Sequence, residues 1–367
     1  MPAPAGRAGS DRPSLADLAV PIIGAPMAGG PSTPELVHAV ERAGGAGFLA
    51  SGYGSADALL EQVRRVRELG ARRFGVNLFV PDALPADLDA ARAYRDELAP
   101  LAAELGIDEL GTPRQDDSGF DAKVAALLAD PVPVVSFTFG LPAPGTFRRF
   151  RDVGTAVWAT VTSTDDAVTA VEAGADVLVV QGPEAGGHRS TFAVADTPGD
   201  VPLGELLRAV RRAVELPLIA AGGLTTGQDV ARALEVADAA QVGTALLDAD
   251  EAGTSPGHRA ALRDPALTTT AVTRAFTGRP ARSLVNELVR RYDAVAPPAY
   301  PALNHVTWPI RQAGGAAGDT RFIPLWTGQG WREAPSGPAQ RIVADLWAAA
   351  ETAARGGGAA SSGRMQR

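Results

Sequence analysis

The chain has 367 residues, of which 46% are hydrophobic and none is cysteine, and its formal net charge is −8. This length and apolar fraction predict one large folded domain with a smaller appendage. The negative charge argues against nucleic acid or an anionic membrane as the main partner, since both require a basic face. The absence of cysteine excludes disulfides, thiol nucleophiles, iron–sulfur clusters and cysteine metal sites.

The two ends of the chain have compositions typical of flexible tails. Residues 1–14 lack the apolar run of a signal peptide, and residues 355–367 are rich in glycine, alanine and serine. We find no run of about 18 apolar residues and expect no membrane span. A cytoplasmic enzyme, monomeric or homodimeric, is the simplest class for such a chain.

Eight short apolar runs recur along the sequence, separated by helical patterns. They are continuously apolar rather than alternating, as expected for parallel strands buried on both faces. The runs are 20–26, 46–51, 74–80, 133–139, 156–161, 176–182, 217–223 and 239–245. They predict an α/β fold in which a closed TIM (β/α)8 barrel spans 15–247, with an open doubly wound sheet as the alternative.

Several of the intervening helices carry clear end signals. Thr33 followed by Pro34 is a typical helix start, Ser163 or Thr164 caps a later helix, and Gly174 ends it. The segment "TTGQDVARALEVADA" has the same kind of helical pattern. These signals place helices between the predicted strands, as a barrel requires.

Two segments interrupt the β/α rhythm. Residues 81–120 are rich in proline and aspartate and predict an excursion after the third strand. Residues 248–320 follow the eighth strand and predict a small helical subdomain that covers one end of the barrel as a lid. Residues 321–354 then return to the barrel as its last helix.

The candidate site residues follow from this architecture, because active sites of such barrels lie at the carboxyl ends of the strands. Asn77 and Gln181 end two apolar strands, where their amides either bind the edge of a heterocycle or tie down a loop. "AAGGL" (220–224) and "QVGTA" (241–245) end the seventh and eighth strands, where glycine-rich loops bind phosphate or simply make tight turns.

His188 is the strongest candidate for chemistry. It follows "EAGG" at the mouth of the sixth strand, where a neutral imidazole acts as a base or a donor to substrate, or is a surface loop residue. Tyr300 and His305 lie in the predicted lid and are candidates for the substrate pocket. The histidines lack metal-ligand spacing, so we predict no metal site, and redox chemistry would require an organic cofactor.

Several motifs, in this order and spacing, closely resemble the nitronate monooxygenase family, formerly called 2-nitropropane dioxygenases. The resemblance extends over roughly residues 15 to 350. The motifs are "PIIGAPMAGGPSTPELVHAVERAGGAGFLASG", "FGVNLF", "VVQGPEAGGHRS", "IAAGGL", "AQVGTALL", "TRAFTGRPARSLVNE" and "TGQG".

The resemblance implies an FMN-binding TIM barrel that oxidises alkyl nitronates, such as propionate 3-nitronate, with O2 to a carbonyl product and nitrite. His188 matches the active-site histidine, which binds the nitronate or removes the α-proton of a nitroalkane, and Gln329 matches a motif that returns to the flavin. The positions that match flavin contacts are Met27, Asn77, Gln181, Gly186, Gly222, Gly223, Gln241, Gly243 and Thr244.

Two alternatives remain open at the level of sequence. Flavin-dependent enoyl-acyl-carrier-protein reductase II shares the barrel and the glycine–histidine loop but takes hydride from a reduced nicotinamide. A barrel without redox activity that binds a phosphate-bearing small molecule is the second. The sequence departs from the monooxygenase pattern at His305, Trp308 and Trp331, where the lid is expected to shape substrate choice.

Overall fold

The computed structural model describes residues 14–362 and contains a closed barrel of eight parallel strands. The strands follow one another around the barrel in chain order, and the last pairs with the first to close it. The predicted barrel and its eight strands are therefore confirmed, and no open sheet forms from them. The barrel strands are β1 Ile22–Gly24, β2 Ala46–Ala50, β3 Phe74–Phe79, β4 Val134–Thr138, β5 Ala156–Val161, β6 Val177–Gln181, β8 Leu218–Ala221 and β9 Ala239–Val242.

Helices cover the outside of the barrel and begin where the sequence predicts. The Thr33 and Ser163 side chains each accept a hydrogen bond from the first turn of their helices, and Gly174 ends the second of these helices with φ of 91°. The α-helices are α1 Pro34–Arg42, α2 Ala56–Glu68, α3 Leu88–Glu97, α4 Ala99–Glu104, α5 Phe120–Ala129, α6 Thr146–Asp152, α7 Thr164–Ala173, α8 Leu203–Ala213, α9 Gly227–Leu234, α10 Pro256–Arg263, α11 Glu287–Tyr292, α12 Ala302–Val306, α13 Trp308–Ala317 and α14 Ala339–Ser362.

The inside of the barrel is filled by side chains. The rings of Phe48 and Trp158 pack with their centroids 5.0 Å apart, among smaller apolar residues from the other strands. Gly75 lies against this pair: a Cβ added there would be 2.1 Å from the Phe48 ring. The barrel is thus a packed core rather than a pore, and a ligand can bind only at its ends.

A second hydrophobic core lies beside the barrel and joins two distant segments. Tyr94 and Leu101, from the excursion after β3, pack with Phe276, Leu303 and Phe322. The Tyr94 hydroxyl donates to the Ala275 carbonyl at 2.8 Å. The excursion therefore shares its core with the segment that the sequence predicts as a lid.

The segment predicted as a helical lid also contains strands. β10 (Thr270–Thr273) and β11 (Ala281–Leu284) form an antiparallel pair within it. The short strand β7 (Gly187–His188), from the loop after β6, pairs with β11 so that His188 faces Ala281 in register. This three-stranded sheet connects the barrel mouth directly to the lid segment.

The chain returns to the barrel through α14, which packs against α9 and α1. This helix extends to Ser362, past residue 354, where the sequence predicts a flexible tail. The rest of the two predicted tails, residues 1–13 and 363–367, lies outside the described residues. Between residues 14 and 362, none of the helices is both long and apolar enough to span a membrane.

We expect the Gly75→Ala variant to lower the free energy of unfolding by about 1–3 kcal/mol, because its methyl group overpacks the barrel interior. Chemical denaturation of the purified variant measures this loss. Gly204→Ala is the matched control: Gly204 lies exposed in the first turn of α8, with no close neighbour for a Cβ, so its stability should stay equal or rise slightly. Equal stabilities of the two variants would contradict the interpretation.

Candidate active site

A cavity of about 1050 Å³ lies at the carboxyl ends of the barrel strands, between them and the lid segment. This volume is at the upper end of the roughly 300–1,000 Å³ typical of small-molecule sites, so it has room for a cofactor and a substrate. All the predicted site residues except Gln329 line it: Met27, Asn77, Gln181, Gly186, His188, Gly222, Gly223, Gln241, Gly243, Thr244, Tyr300 and His305.

His188 is held against the cavity by its backbone and its ring. Its backbone belongs to β7, and its carbonyl accepts a hydrogen bond of 3.0 Å from Gln181 Nε2. Its ring lies among aromatic rings, with the Phe139 and Trp326 centroids each 5.5 Å away. The imidazole therefore has one defined orientation at the barrel mouth.

The Thr277 hydroxyl contacts the His188 ring, and the direction of this hydrogen bond sets the tautomer of the ring. His188 Nε2 lies 2.9 Å from Thr277 Oγ1, and the same hydroxyl donates to the Arg279 carbonyl at 3.3 Å. A hydroxyl that donates to this carbonyl can accept from Nε2–H. In that tautomer Nδ1 carries a lone pair, whereas a hydroxyl that donates to Nε2, its shorter contact, leaves the ring proton on Nδ1, from which it can be donated to a ligand.

Burial keeps the His188 ring neutral. Loss of solvent is the main cause, and together with the positive charges of Arg279 and Arg311 it lowers the pKa of His188 from 6.5 to about 3. Each of these effects disfavours the imidazolium form. His188 is accordingly uncharged throughout the neutral pH range.

The two strand-end amides bond to the protein itself. Gln181 donates to the His188 carbonyl and accepts from the Ser190 N–H at 2.9 Å, so it fixes the loop that carries His188. Asn77 Nδ2 donates to Ser136 Oγ and Thr138 Oγ1, both at 2.9 Å. Both amides thus have structural roles, and both also line the cavity.

The glycines of the cavity wall fall into two groups. At Gly186, Gly222 and Gly223, an added Cβ would lie within 3.0 Å of another part of the chain, so packing alone requires glycine there. At Gly243, φ is −114° and an added Cβ would come no closer than 3.4 Å to Ala25. Nothing in the described chain demands glycine at 243, which points to the close approach of a ligand.

The segment after Trp326 fastens three of the loops at the barrel mouth. The Gly328 N–H donates to Thr244 Oγ1 at 2.8 Å, and the Gln329 N–H donates to the Glu184 carbonyl at 3.0 Å. Gly330 packs tightly on Thr225: a Cβ added at Gly330 would lie 2.2 Å from the Thr225 hydroxyl. Gln329 itself is thereby held through its backbone, and its neighbours Gly328 and Gly330 line the cavity.

A polar wall of the cavity contains Tyr300, which the sequence predicted, together with Tyr53, Arg279 and Arg311, which it did not. Tyr53 and Tyr300 share a side-chain hydrogen bond, and burial raises the pKa of both phenols. Arg279 and Arg311 lie near these phenols, and burial lowers the pKa of each guanidinium to about 10. Tyr53 follows the second barrel strand, so its position at a strand end was a usable signal, whereas Arg279 and Arg311 lie in the lid segment, which has no strand-end signals of the barrel.

Two residues to which the sequence assigned no chemical role have well-defined positions. Lys123 is buried in α5, and its Nζ donates to the Ser51 carbonyl at 2.9 Å rather than lining the cavity. His258 lies at the start of α10, where its backbone N–H donates to Oγ of the cap residue Ser255. It is also buried and lines the cavity, which sequence reasoning missed.

Comparison with known proteins agrees with this architecture. The sequence profile of the family described as nitronate monooxygenase matches residues 12–349. A probable nitronate monooxygenase of Staphylococcus aureus (strain MSSA476) is 32% identical over 339 residues, covering 90% of this chain and 94% of that protein. The chain belongs to the nitronate monooxygenase family. The resemblance inferred from the motifs is therefore confirmed, and the chain is an oxidoreductase.

Two solved structures show how widely the fold of this nitronate monooxygenase family member is shared. A nitroalkane oxidase from Streptomyces ansochromogenes is 46% identical with a TM-score of 0.89, covering 93% of this chain and 99% of that one. FabK from Thermotoga maritima is 26% identical with a TM-score of 0.72, covering 93% and 96%. Both similarities include the barrel and the lid segment.

The lowered pKa of His188 predicts a pH dependence of stability. Between about pH 3 and pH 6.5 the unfolded chain binds a proton at His188 that the folded chain does not bind. The contribution of His188 to the free energy of unfolding is therefore fully present above pH 6.5 and is lost as the pH falls through this range. The free energy of unfolding of the wild type, relative to His188→Asn, should fall by up to roughly 1.4 kcal/mol per pH unit in this window. Urea unfolding at several pH values measures the difference, and parallel curves for the two proteins would contradict the assignment.

Proposed function

We propose that the chain is an FMN-dependent nitronate monooxygenase that oxidises alkyl nitronates with O2 to a carbonyl product and nitrite. The observation that carries the proposal is that one cavity is lined both by Gly243, where the packing of the chain does not require glycine, and by the neutral ring of His188. Its volume suits a planar cofactor on the barrel side with a small substrate beside His188. Membership of the nitronate monooxygenase family supports the same function. A cytoplasmic location and a monomeric or homodimeric state stay predictions.

The residues present fit a flavin phosphate and ring. The backbone around Gly223, Gly243 and Thr244 offers N–H groups at the loops after the seventh and eighth barrel strands, where barrels commonly bind phosphate. Met27 and Gln241 line the same part of the cavity, and the amides of Asn77 and Gln181 lie at its edge. When bound, the flavin supplies an electron acceptor that O2 can reoxidise.

The side chain of His188 is suited to orient an anion. With a pKa of about 3, the ring is a weak base, which disfavours proton abstraction from a neutral nitroalkane. A nitronate arrives already deprotonated and needs no such base. Its negative charge beside the ring would raise the pKa of His188 and so strengthen hydrogen bonding to the substrate. This argument favours nitronates over nitroalkanes as substrates.

The proposal is tested by mixing the flavin-loaded protein aerobically with propionate 3-nitronate and with simple alkyl nitronates. We expect O2 consumption and nitrite release, measured with an oxygen electrode and a colorimetric assay. His188→Asn should keep the flavin and lose roughly 10- to 100-fold in kcat/KM, as expected for the loss of a hydrogen bond to a charged group.

Two outcomes would overturn the proposal. Anaerobic bleaching of the flavin by NADH or NADPH, with no reaction toward any nitronate, would favour the enoyl-acyl-carrier-protein reductase II alternative. A protein that binds no flavin after reconstitution would favour a phosphate-binding barrel without redox activity. An absorbance spectrum of the reconstituted protein separates the second outcome from the first.

The Gly243→Ala variant tests the cofactor position. Its methyl group meets only ordinary contacts in the chain, so the thermal midpoint of the flavin-free protein should stay unchanged. If the flavin approaches this backbone closely, the dissociation constant of FMN should rise about tenfold or more. Fluorescence titration of FMN measures it, with Gly204→Ala as the control. Normal FMN affinity in Gly243→Ala would place the phosphate elsewhere.

A further inference from the structure

Arg311 is a cation at the cavity wall whose hydrogen-bonding capacity is mostly unused. It lies in α13 and lines the cavity. Its Nη2 donates to the carbonyl and to Oδ1 of Asn304, at 2.6 and 2.9 Å. Its Nε is buried without a partner, and within residues 14–362 its Nη1 makes no hydrogen bond. The guanidinium also lies 5.2 Å from the Trp308 ring centroid, which fixes its position.

No carboxylate compensates this charge. Within the described part of the chain, no acidic side chain lies within 4.0 Å of the Arg311 guanidinium. Asp116, on the same cavity wall, instead contacts His305 Nε2 at 3.3 Å and Arg114 at 3.7 Å. The groups that face Arg311 are Tyr53 and Tyr300, which burial keeps in the neutral phenol form.

The other buried arginine of this wall is already occupied. Arg279 is 1% exposed, donates to the Thr191 carbonyl at 2.7 Å and lies 3.7 Å from Asp82. Its guanidinium is also 4.0 Å from the Phe139 ring centroid. Arg279 thus supports the fold of the wall, whereas Arg311 retains donors for a ligand.

A largely desolvated cation without a counter-ion is costly, and an anionic ligand relieves this cost. Arg311 and His188 are electrostatically coupled, since the charge of Arg311 helps to lower the pKa of that ring. An anion between them would therefore be attracted by the guanidinium, and Nδ1–H of the imidazole would donate to it when the Thr277 hydroxyl donates to Nε2. Guanidinium groups match planar oxyanions such as carboxylates, and a nitronate has the same planar pair of oxygens.

We propose that Arg311 binds the anionic group of the substrate and makes the cavity selective for small planar oxyanions over their neutral counterparts. The proposal rests on the proposed function for the identity of the substrate, but the binding of an unreactive anion tests it independently of turnover. Arg311 is then a residue that determines specificity, in a segment that sequence reasoning did not connect with the substrate.

The experiment titrates the flavin-loaded protein with propionate and with neutral propionamide, and follows tryptophan fluorescence and the flavin spectrum. We expect Arg311→Gln to raise the Kd of propionate, and the KM of a nitronate, roughly 10- to 100-fold, with little change for propionamide. Arg311→Lys keeps the charge without the planar guanidinium, so its Kd for propionate should lie between those of the wild type and Arg311→Gln. Arg332→Gln is the matched control, because Arg332 is exposed and lies 5.0 Å from the Trp331 ring centroid, outside the cavity lining.

The outcomes separate this proposal from the proposed function. Unchanged propionate affinity and nitronate KM in Arg311→Gln would overturn the role of Arg311, while nitronate turnover by the wild type would still stand. Propionate binding that depends on Arg311 in a protein without nitronate turnover would uphold the anion site and reject the proposed reaction. If Arg311→Gln does not fold, Arg311→Lys decides: wild-type propionate affinity in that variant would overturn the need for a guanidinium.

Discussion

The pairing of β7 with β11 is the constraint on which the rest of the site depends. It ties the loop after the sixth barrel strand to the lid segment, so the backbone of His188 belongs to both units. Gln181 fixes the same loop from the barrel side, through His188 and Ser190. Because the loop is held from two directions, the ring of His188 can be buried among aromatic side chains without being free to rotate away.

That burial determines the chemistry of the wall. In a site from which water is largely removed, the imidazole loses its proton first, since its usual pKa is far below that of a guanidinium. Arg279 and Arg311 keep their charge, with pKa values lowered only to about 10, while that of His188 falls to about 3. The wall thus combines a neutral ring with the positive charge of Arg311, which has no carboxylate within 4.0 Å in the described part of the chain, and an anion in the cavity would compensate that charge.

The barrel and its glycine-rich mouth could be predicted from the sequence because both have local signals. A continuously apolar run reports burial on both faces, and the residues that follow such runs meet at one end of a barrel. The roles of Thr277 and Arg311 had no such signal, because these residues lie in the lid segment and reach the cavity only through contacts between distant segments. The strand character of β10 and β11 was also hidden, since it arises from pairing with each other and with β7, and short polar runs such as "ARSL" have little local preference for a strand.

The two sides of the cavity are built in different ways, and this division bears on how substrate choice can change. The barrel side consists of loops that are fastened to one another by the segment after Trp326, and tight contacts at Gly186 and Gly330 leave no space for added side chains. The lid side is formed by side chains such as Trp308 and Arg311, on helices that rest on the second core. Substitutions on these helices can alter the shape and charge of the substrate pocket without moving the loops of the barrel. Such a scaffold can keep one cofactor position while its substrate differs between relatives.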